Sequence, residues 1–164
     1  MTTPVEISSP RTAADFDAIK RLFREYAESL GFSLAYQDFD KELADFPGKY
    51  APPDGALLLA TVDGEAAGTV ALRKLDARIC EMKRLYVRPA FRGQRTRDGR
   101  SVGRALAEDI VAVGRERGYQ RLRLDTISGK MRQALSLYRS MGFVEIPAYY
   151  ASPIPDTAYM ELVL

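Results

Sequence analysis

The chain has 164 residues, 46% of them hydrophobic and 28% charged, and a formal net charge of +2. That length is enough to bury a core without cross-links, so residues 1–164 read as one domain, and the net charge is too small to imply a nucleic-acid or membrane partner by itself. The lone cysteine, Cys80, excludes an internal disulfide and a cysteine-rich zinc site; the lack of any histidine excludes Ser-His-Asp and Cys-His nucleophile systems and histidine-ligated metals.

Taken in chain order, Met1 to Pro10 lacks the basic start and apolar stretch of a secretory signal, and Val5 to Ser8 reads as a short strand. Phe16, Ile19, Leu22, Phe23, Tyr26 and Leu30 recur at helical spacing, which predicts a helix over Thr12 to Leu30. Thr12 and Asp15 form a capping-box pattern at its start, and Gly31 suits its stop. A shorter helix is expected over Asp38 to Asp45, and Pro52-Pro53-Asp54-Gly55 is a turn. Two strands follow, Ala56 to Val62 and Glu65 to Leu75, joined by Asp63-Gly64, a pair that tolerates the positive φ values of a tight hairpin turn. Ala56 to Val62 is also the longest apolar run, far short of the roughly 20 residues of a membrane helix. A cytoplasmic location is therefore the expectation.

A third strand is predicted over Arg78 to Val87, then an Arg- and Gly-rich loop from Phe91 to Arg100 and a helix over Ser101 to Arg117. Val102, Ala105, Leu106, Ile110 and Val113 form the apolar face of that helix, and Gly118 ends it. A strand over Arg121 to Thr126, a helix over Lys130 to Met141, and strands near Phe143 to Ile146 and Ala158 to Leu164 complete the chain. The order β-α-α-β-β-β-α-β-α-β-β implies an α/β (α+β) fold: a mixed, mostly antiparallel sheet of about 6–7 strands flanked by about 4 helices.

Chemistry concentrates where the third strand runs into the basic loop. A strand, a loop rich in glycine and arginine, and a helix N-terminus together bring backbone N–H groups and a positive helix end to one place. Arg84, Arg88, Arg92, Arg95, Arg97, Arg100 and Arg104 surround it and only Asp98 opposes them, so a phosphate-bearing ligand fits; a solvated basic loop is the alternative. Gly99-Arg100-Ser101-Val102-Gly103 matches the Gly-x-Ser-x-Gly elbow of hydrolases, but that serine needs a histidine base and a strand directly before it. Glu81 lies on a central strand, in the alternate row of Lys83, Leu85 and Val87. A carboxylate there is costly to bury unless it is paired, for example with Lys83 or an arginine, or functional.

Leu85-Tyr86-Val87-Arg88-Pro89, Phe91-Arg92-Gly93 and Ser101-Val102-Gly103-Arg104-Ala105-Leu106, in that order, resemble the acetyl-CoA motif of GNAT acetyltransferases. Ala134 to Phe143 is similar to that family's second signature, Ala-x-x-Leu-Tyr-x-x-x-Gly-Phe. The resemblance spans about Ala56 to Leu164. It implies an N-acetyltransferase that moves an acetyl group from acetyl-CoA, as co-substrate, to a primary amine by direct attack. It also implies coenzyme contacts from Leu85, Tyr86 and Val87 on the strand and from Arg92, Arg100, Ser101, Val102, Gly103, Arg104 and Ala105 around the loop and helix start. Glu81, four residues before the strand tripeptide, matches the family's general base, and partial desolvation is expected to raise its pKa. Tyr138 matches the general acid, with core packing as the alternative reading. Two departures stand out: Gln94 to Asp98 looks like an insertion, and Ser101 replaces the first loop glycine. Cys80 reads as a structural thiol. The irregular segments Gly31 to Asp54 and Pro147 to Thr157, with Phe32, Tyr36, Tyr50, Tyr149 and Tyr150, are expected to flank the cleft. The partner is then a small-molecule or peptide amine, with no nucleic acid and no membrane, and a homodimer is left open. The competing function is a non-catalytic acyl-CoA-binding or regulatory module.

Overall fold

Thr12 caps the first helix as its pattern predicts. Its hydroxyl accepts from the Asp15 N–H, the Asp15 carboxylate accepts from the Thr12 N–H, and α1 runs over Ala13–Ser29. The computed structural model describes residues 3–129 and 131–164. Strand β1 (Glu6–Ser8) precedes α1, and α2 (Phe39–Ala44) follows it between two 3-10 turns. Then come β2 (Ala56–Val62), β3 (Glu65–Lys74), β4 (Ile79–Val87), α3 (Val102–Glu116), β5 (Arg121–Ile127), α4 (Arg132–Ser140), β6 (Val144–Ile146) and β7 (Thr157–Val163). The expected helix start at Lys130 lies outside the described residues. Asp63 (φ 52°) and Gly64 (φ 78°) make the tight β2–β3 turn that their pairing predicts.

The sheet order is β1-β2-β3-β4-β5-β7-β6, and β4–β5 is its parallel pair. Alternate residues of β2 feed two apolar clusters: Ala56, Leu58 and Ala60 join α3, while Leu57 and Leu59 join α1. Period 2 along the strand places those clusters on opposite faces. Ile19, Leu22 and Phe23 of α1 and Leu106 and Ile110 of α3 are fully buried in them. Gly68 of β3 sits where backbone comes close, since a Cβ there would stand 2.7 Å from the Tyr86 carbonyl oxygen.

Two irregularities of β4 set it apart from the rest of the sheet. Its pairing with β5 covers only Ile79↔Arg121, Cys80↔Leu122 and Glu81↔Arg123, after which the two strands part. Opposite β3, the register slips between Thr69↔Tyr86 and Ala71↔Lys83, so β4 carries one extra residue there, and Arg84 adopts φ 60°. This is a β-bulge. It corrects the expected row of Glu81, Lys83, Leu85 and Val87. Past the bulge the alternation flips, so Leu85 and Val87 pack with Cys80 and Met82 on the α3 side, and Tyr86 packs on the α1 side.

Candidate active site

The parting of β4 and β5 opens a cleft of about 1020 Å³ that runs between α1, α3 and α4. Leu85, Tyr86, Val87, Arg92, Ser101, Gly103, Arg104 and Tyr138 all line it, which brings together most of the residues singled out from sequence. Arg88 donates its N–H to Ala67 of β3, so strand alternation turns the N–H groups of Val87 and Leu85 toward the open side. That side has no partner strand beyond Glu81.

At the other end of the cleft α3 begins. Its first N–H groups, those of Val102, Gly103 and Arg104, make no hydrogen bond among the described residues, which leaves the positive end of a 15-residue helix unfilled. Arg104 lines this end while touching Ser140 and Glu108, and Arg92 lines it with no ion pair among the described residues. The donor set suits a diphosphate.

Several arginines are placed elsewhere than the sequence suggests. Arg84 is 4% exposed and clamps Glu42 of α2 through Nε and Nη2, both at 3.0 Å, with Nη1 on Gln37 at 2.7 Å. Arg88 clamps Glu25 of α1 at 2.9 and 2.7 Å. Arg100 is bonded to Asp98, Glu108 and Asp109 and is not among the cleft residues, so it braces the loop against α3. In each case a carboxylate from another turn or element outcompetes an open phosphate site. Ala105 is also corrected: its side chain is fully buried and its N–H already donates to the Ser101 carbonyl at 2.9 Å. The Val102 side chain is buried too, so this residue offers only its N–H.

Ser101 occupies the N-cap position with extended backbone, but its hydroxyl makes no cap hydrogen bond. Gln94 to Asp98 does not intrude on the cleft. Thr96 bridges to Val5, Arg95 bridges to Ser101, and Thr96 and Arg100 close a turn at 2.9 Å, so the insertion folds outward against the N-terminal segment. Fourteen residues lie between the end of β4 and the start of α3, so Ser101 is not a strand-to-helix elbow.

Lys83, Asp125 and Tyr138 line the cleft where β4 and β5 part, with Glu81 beneath them. Glu81 is 2% exposed and absent from the cleft lining, enclosed by Arg73 (2.8 Å), Lys83 (3.8 Å) and the Tyr149 hydroxyl (2.6 Å). Burial acts to raise its carboxyl, but Lys83, Arg73 and Tyr149 outweigh it and hold Glu81 below the usual carboxylate range. This reverses the expected upward shift. Lys83 lines the cleft and donates to Gln37 at 3.1 Å; burial brings its pKa down to about 8 against the pull of Glu81. Asp125 lines the cleft from β5 and accepts a hydrogen bond from Tyr150. Tyr138 is 6% exposed and burial raises its phenol above the ordinary range. Its hydroxyl has no hydrogen-bond partner among the described residues, and the residue lines the cleft.

Of the expected flanking aromatics, Phe32 and Tyr36 line the cleft and Tyr50 is a core residue bonded to Glu42 at 2.8 Å. Tyr149 and Tyr150 hold the two carboxylates from behind. Gln37, Glu42 and Asp125 escaped sequence reasoning. Gln37 and Glu42 carry no local motif, and Asp125 gains its place only from where β5 parts from β4.

The acetyltransferase (GNAT) family model matches residues 16–143. An uncharacterized N-acetyltransferase of Schizosaccharomyces pombe is 38% identical over 160 residues, spanning 96% of this chain and 94% of its own. An uncharacterized N-acetyltransferase of Escherichia coli is 28% identical over 140 residues, 82% of this chain and 80% of its own. Among solved structures, an acetyltransferase from Streptococcus agalactiae has a TM-score of 0.74 at 22% identity, covering 98% of this chain and 99% of the other. The PaiA N-acetyltransferase from Thermoplasma acidophilum, in complex with coenzyme A, has a TM-score of 0.70 at 18% identity, covering 98% and 99%. A split parallel strand pair, an open helix end beside it, and a family match over most of the length point one way: the chain belongs to the GNAT family of acetyltransferases and is an N-acetyltransferase.

Proposed function

We propose that the enzyme transfers an acetyl group from acetyl-CoA to a primary amine by direct attack of the amine nitrogen on the thioester. The observation that carries this reading is the cleft itself, with unpaired strand backbone along one wall and free helix N–H groups at one end. In this reading Val102, Gly103 and Arg104 N–H groups, with the Arg92 and Arg104 side chains, hold the diphosphate. Leu85 and Val87 hold the pantetheine arm as an added strand. Acetyl-CoA supplies the activated acyl group.

Tyr138 is the proton donor to the departing sulfur. A phenol raised above its ordinary range stays protonated at any working pH, so it is available as donor throughout. Glu81 acts at one remove: it is buried and does not line the cleft, and its ionised carboxylate keeps Lys83 and Tyr149 in place. Cys80 takes no part. Burial pushes its thiol up to about 12, and it is fully buried against the Arg121 carbonyl.

Two measurements test the proposal. Saturating acetyl-CoA raises the melting temperature by about 5–10 °C if it binds the folded state at roughly a hundred times its Kd. A thiol-release assay across a panel of amines then shows acceptor-dependent turnover. No thermal shift at saturation overturns the acetyl-CoA site; a shift without amine-dependent thiol release in any member of a broad panel leaves only a binding module.

A further inference from the structure

We propose that the acceptor is an amino acid: its ammonium is received by Asp125 of β5 and its carboxylate by Lys83 of β4. This rests on the acetyl-transfer reading above and names the substrate class for that same cleft.

The geometry follows from strand register. Glu81↔Arg123 is the last paired position of the parallel strands. Lys83 and Asp125 each lie two residues further on, so with a side-chain period of two both sit on the face of Glu81 and Arg123, opposite one another across the mouth of the split. Both line the cleft. Yet they form no ion pair with each other. Lys83 reaches back to Gln37 and toward Glu81, while Asp125 is held from behind by Tyr150. A gap lined by opposite charges remains between them.

The charge census around that gap is specific. Asp125 is the one carboxylate among the residues lining the cleft. Most other acidic groups at this end are claimed by a cation: Glu25 by Arg88, Glu42 by Arg84 and Lys49, Glu81 by Arg73 and Lys83, Glu161 by Arg121 and Arg123. Asp125 forms no ion pair among the described residues and accepts a hydrogen bond from Tyr150. On the other side, Arg84 also lines the cleft but is spent on Glu42, whereas Lys83 shares Glu81 with Arg73 and otherwise bonds only the neutral Gln37, so its ammonium is placed to meet an incoming anion opposite Asp125. A plain amine satisfies Asp125 and faces the Lys83 charge unaided. A zwitterion satisfies both. Tyr36, which lines the same end, places a phenol beside the ammonium site.

The group transfer balances without further reactants. The ammonium held at Asp125 gives up one proton to water at the cleft mouth. The amine nitrogen then forms a bond to the acetyl carbon as the carbon–sulfur bond breaks. Tyr138 gives its proton to the thiolate and recovers one from the nitrogen of the new amide. Amino acid and acetyl-CoA become N-acetylamino acid, free coenzyme A and one proton.

The test is thiol release at saturating acetyl-CoA, run with the twenty common amino acids and with their decarboxylated amines. At least one amino acid is expected to exceed its decarboxylated counterpart in kcat/KM by roughly 10- to 100-fold, the value of one hydrogen bond between charged groups. Asp125→Asn is expected to raise the KM of every acceptor by about the same roughly 10- to 100-fold factor, and Lys83→Met to abolish the preference for a carboxylate, so that each amino acid and its decarboxylated amine are turned over with similar kcat/KM. The acetyl-CoA thermal shift, measured on each variant, reports folding and coenzyme binding separately. If the shift is present and decarboxylated amines match or exceed the amino acids, or no amino acid is turned over, or Asp125→Asn keeps its acceptor KM, the assignment is overturned. If the shift is absent in the parent enzyme, the acetyl-CoA reading falls first and this one with it.

Discussion

Glu42→Gln removes one charge from a site that the structure makes sensitive to it. Arg84 and Glu42 are 4% and 9% exposed, and the guanidinium is bound through two nitrogens at 3.0 Å each. Glutamine keeps an oxygen for the Tyr50 hydroxyl but leaves a buried guanidinium without a counter-charge. Breaking one side of a buried pair costs about 3–5 kcal/mol. For a chain of this size each kcal/mol lowers Tm by roughly 2–4 °C, so a fall of about 6–20 °C is expected. The chain has nine tyrosines and no tryptophan, so urea unfolding is followed by far-ultraviolet circular dichroism together with tyrosine fluorescence. The paired variant Glu42→Met with Arg84→Met removes both charges and is expected to lose less than Glu42→Gln alone, because no bare charge is left behind. A loss below about 1 kcal/mol for Glu42→Gln, or a double variant that is worse than the single, refutes the claim that Arg84 is desolvated and held by Glu42.

Three further outcomes are expected. Tyr138→Phe lowers kcat by roughly 10²- to 10⁴-fold, the usual worth of a positioned acid, with the acetyl-CoA thermal shift intact; wild-type turnover would restore a pure packing role. Ser101→Ala costs under about 0.5 kcal/mol instead of the ~1 kcal/mol of a working cap, since its hydroxyl makes no cap bond, and chemical denaturation measures the difference. Stability falls on acidification. At Glu42 and Glu81 burial acts to raise the carboxyl and is outweighed, by Arg84 and Lys49 in the first case and by Lys83 and Arg73 in the second. A folded-state pKa below the ordinary 4.5 means the contribution is full above that value and lost as pH drops through the lower folded value. Tm is therefore flat near neutrality and declines below about pH 4.5, as calorimetry across a pH series would show.

Much of the architecture was legible because it is written in short-range patterns. The Thr12–Asp15 box, the Asp63-Gly64 turn and the apolar face of α3 each depend on residues within a few positions of one another. Backbone sterics and periodic burial act on that scale. The coenzyme motif was visible for the same reason: a strand end, a loop and a helix start are contiguous.

The candidate site was legible only in part. Its residues were nameable, but their electrostatic roles hinge on partners far away in sequence. Glu42 meets Arg84 across 42 positions, Glu25 meets Arg88 across 63, and Tyr149 meets Glu81 across 68. Nothing local distinguishes an arginine open to phosphate from one already clamped. Nor does alternation foretell the left-handed Arg84, which flips the face of Leu85 and Val87.

The sequence by itself determined the order of elements, the family and the segment where the coenzyme would sit, since each rests on contiguous residues. Tertiary structure alone decided where β4 and β5 part, which carboxylates are spent in ion pairs, and that Asp125 stays outside them among the described residues. Those outcomes depend on which side chains meet in low dielectric, where charge pairing is settled by distance in space and not along the chain.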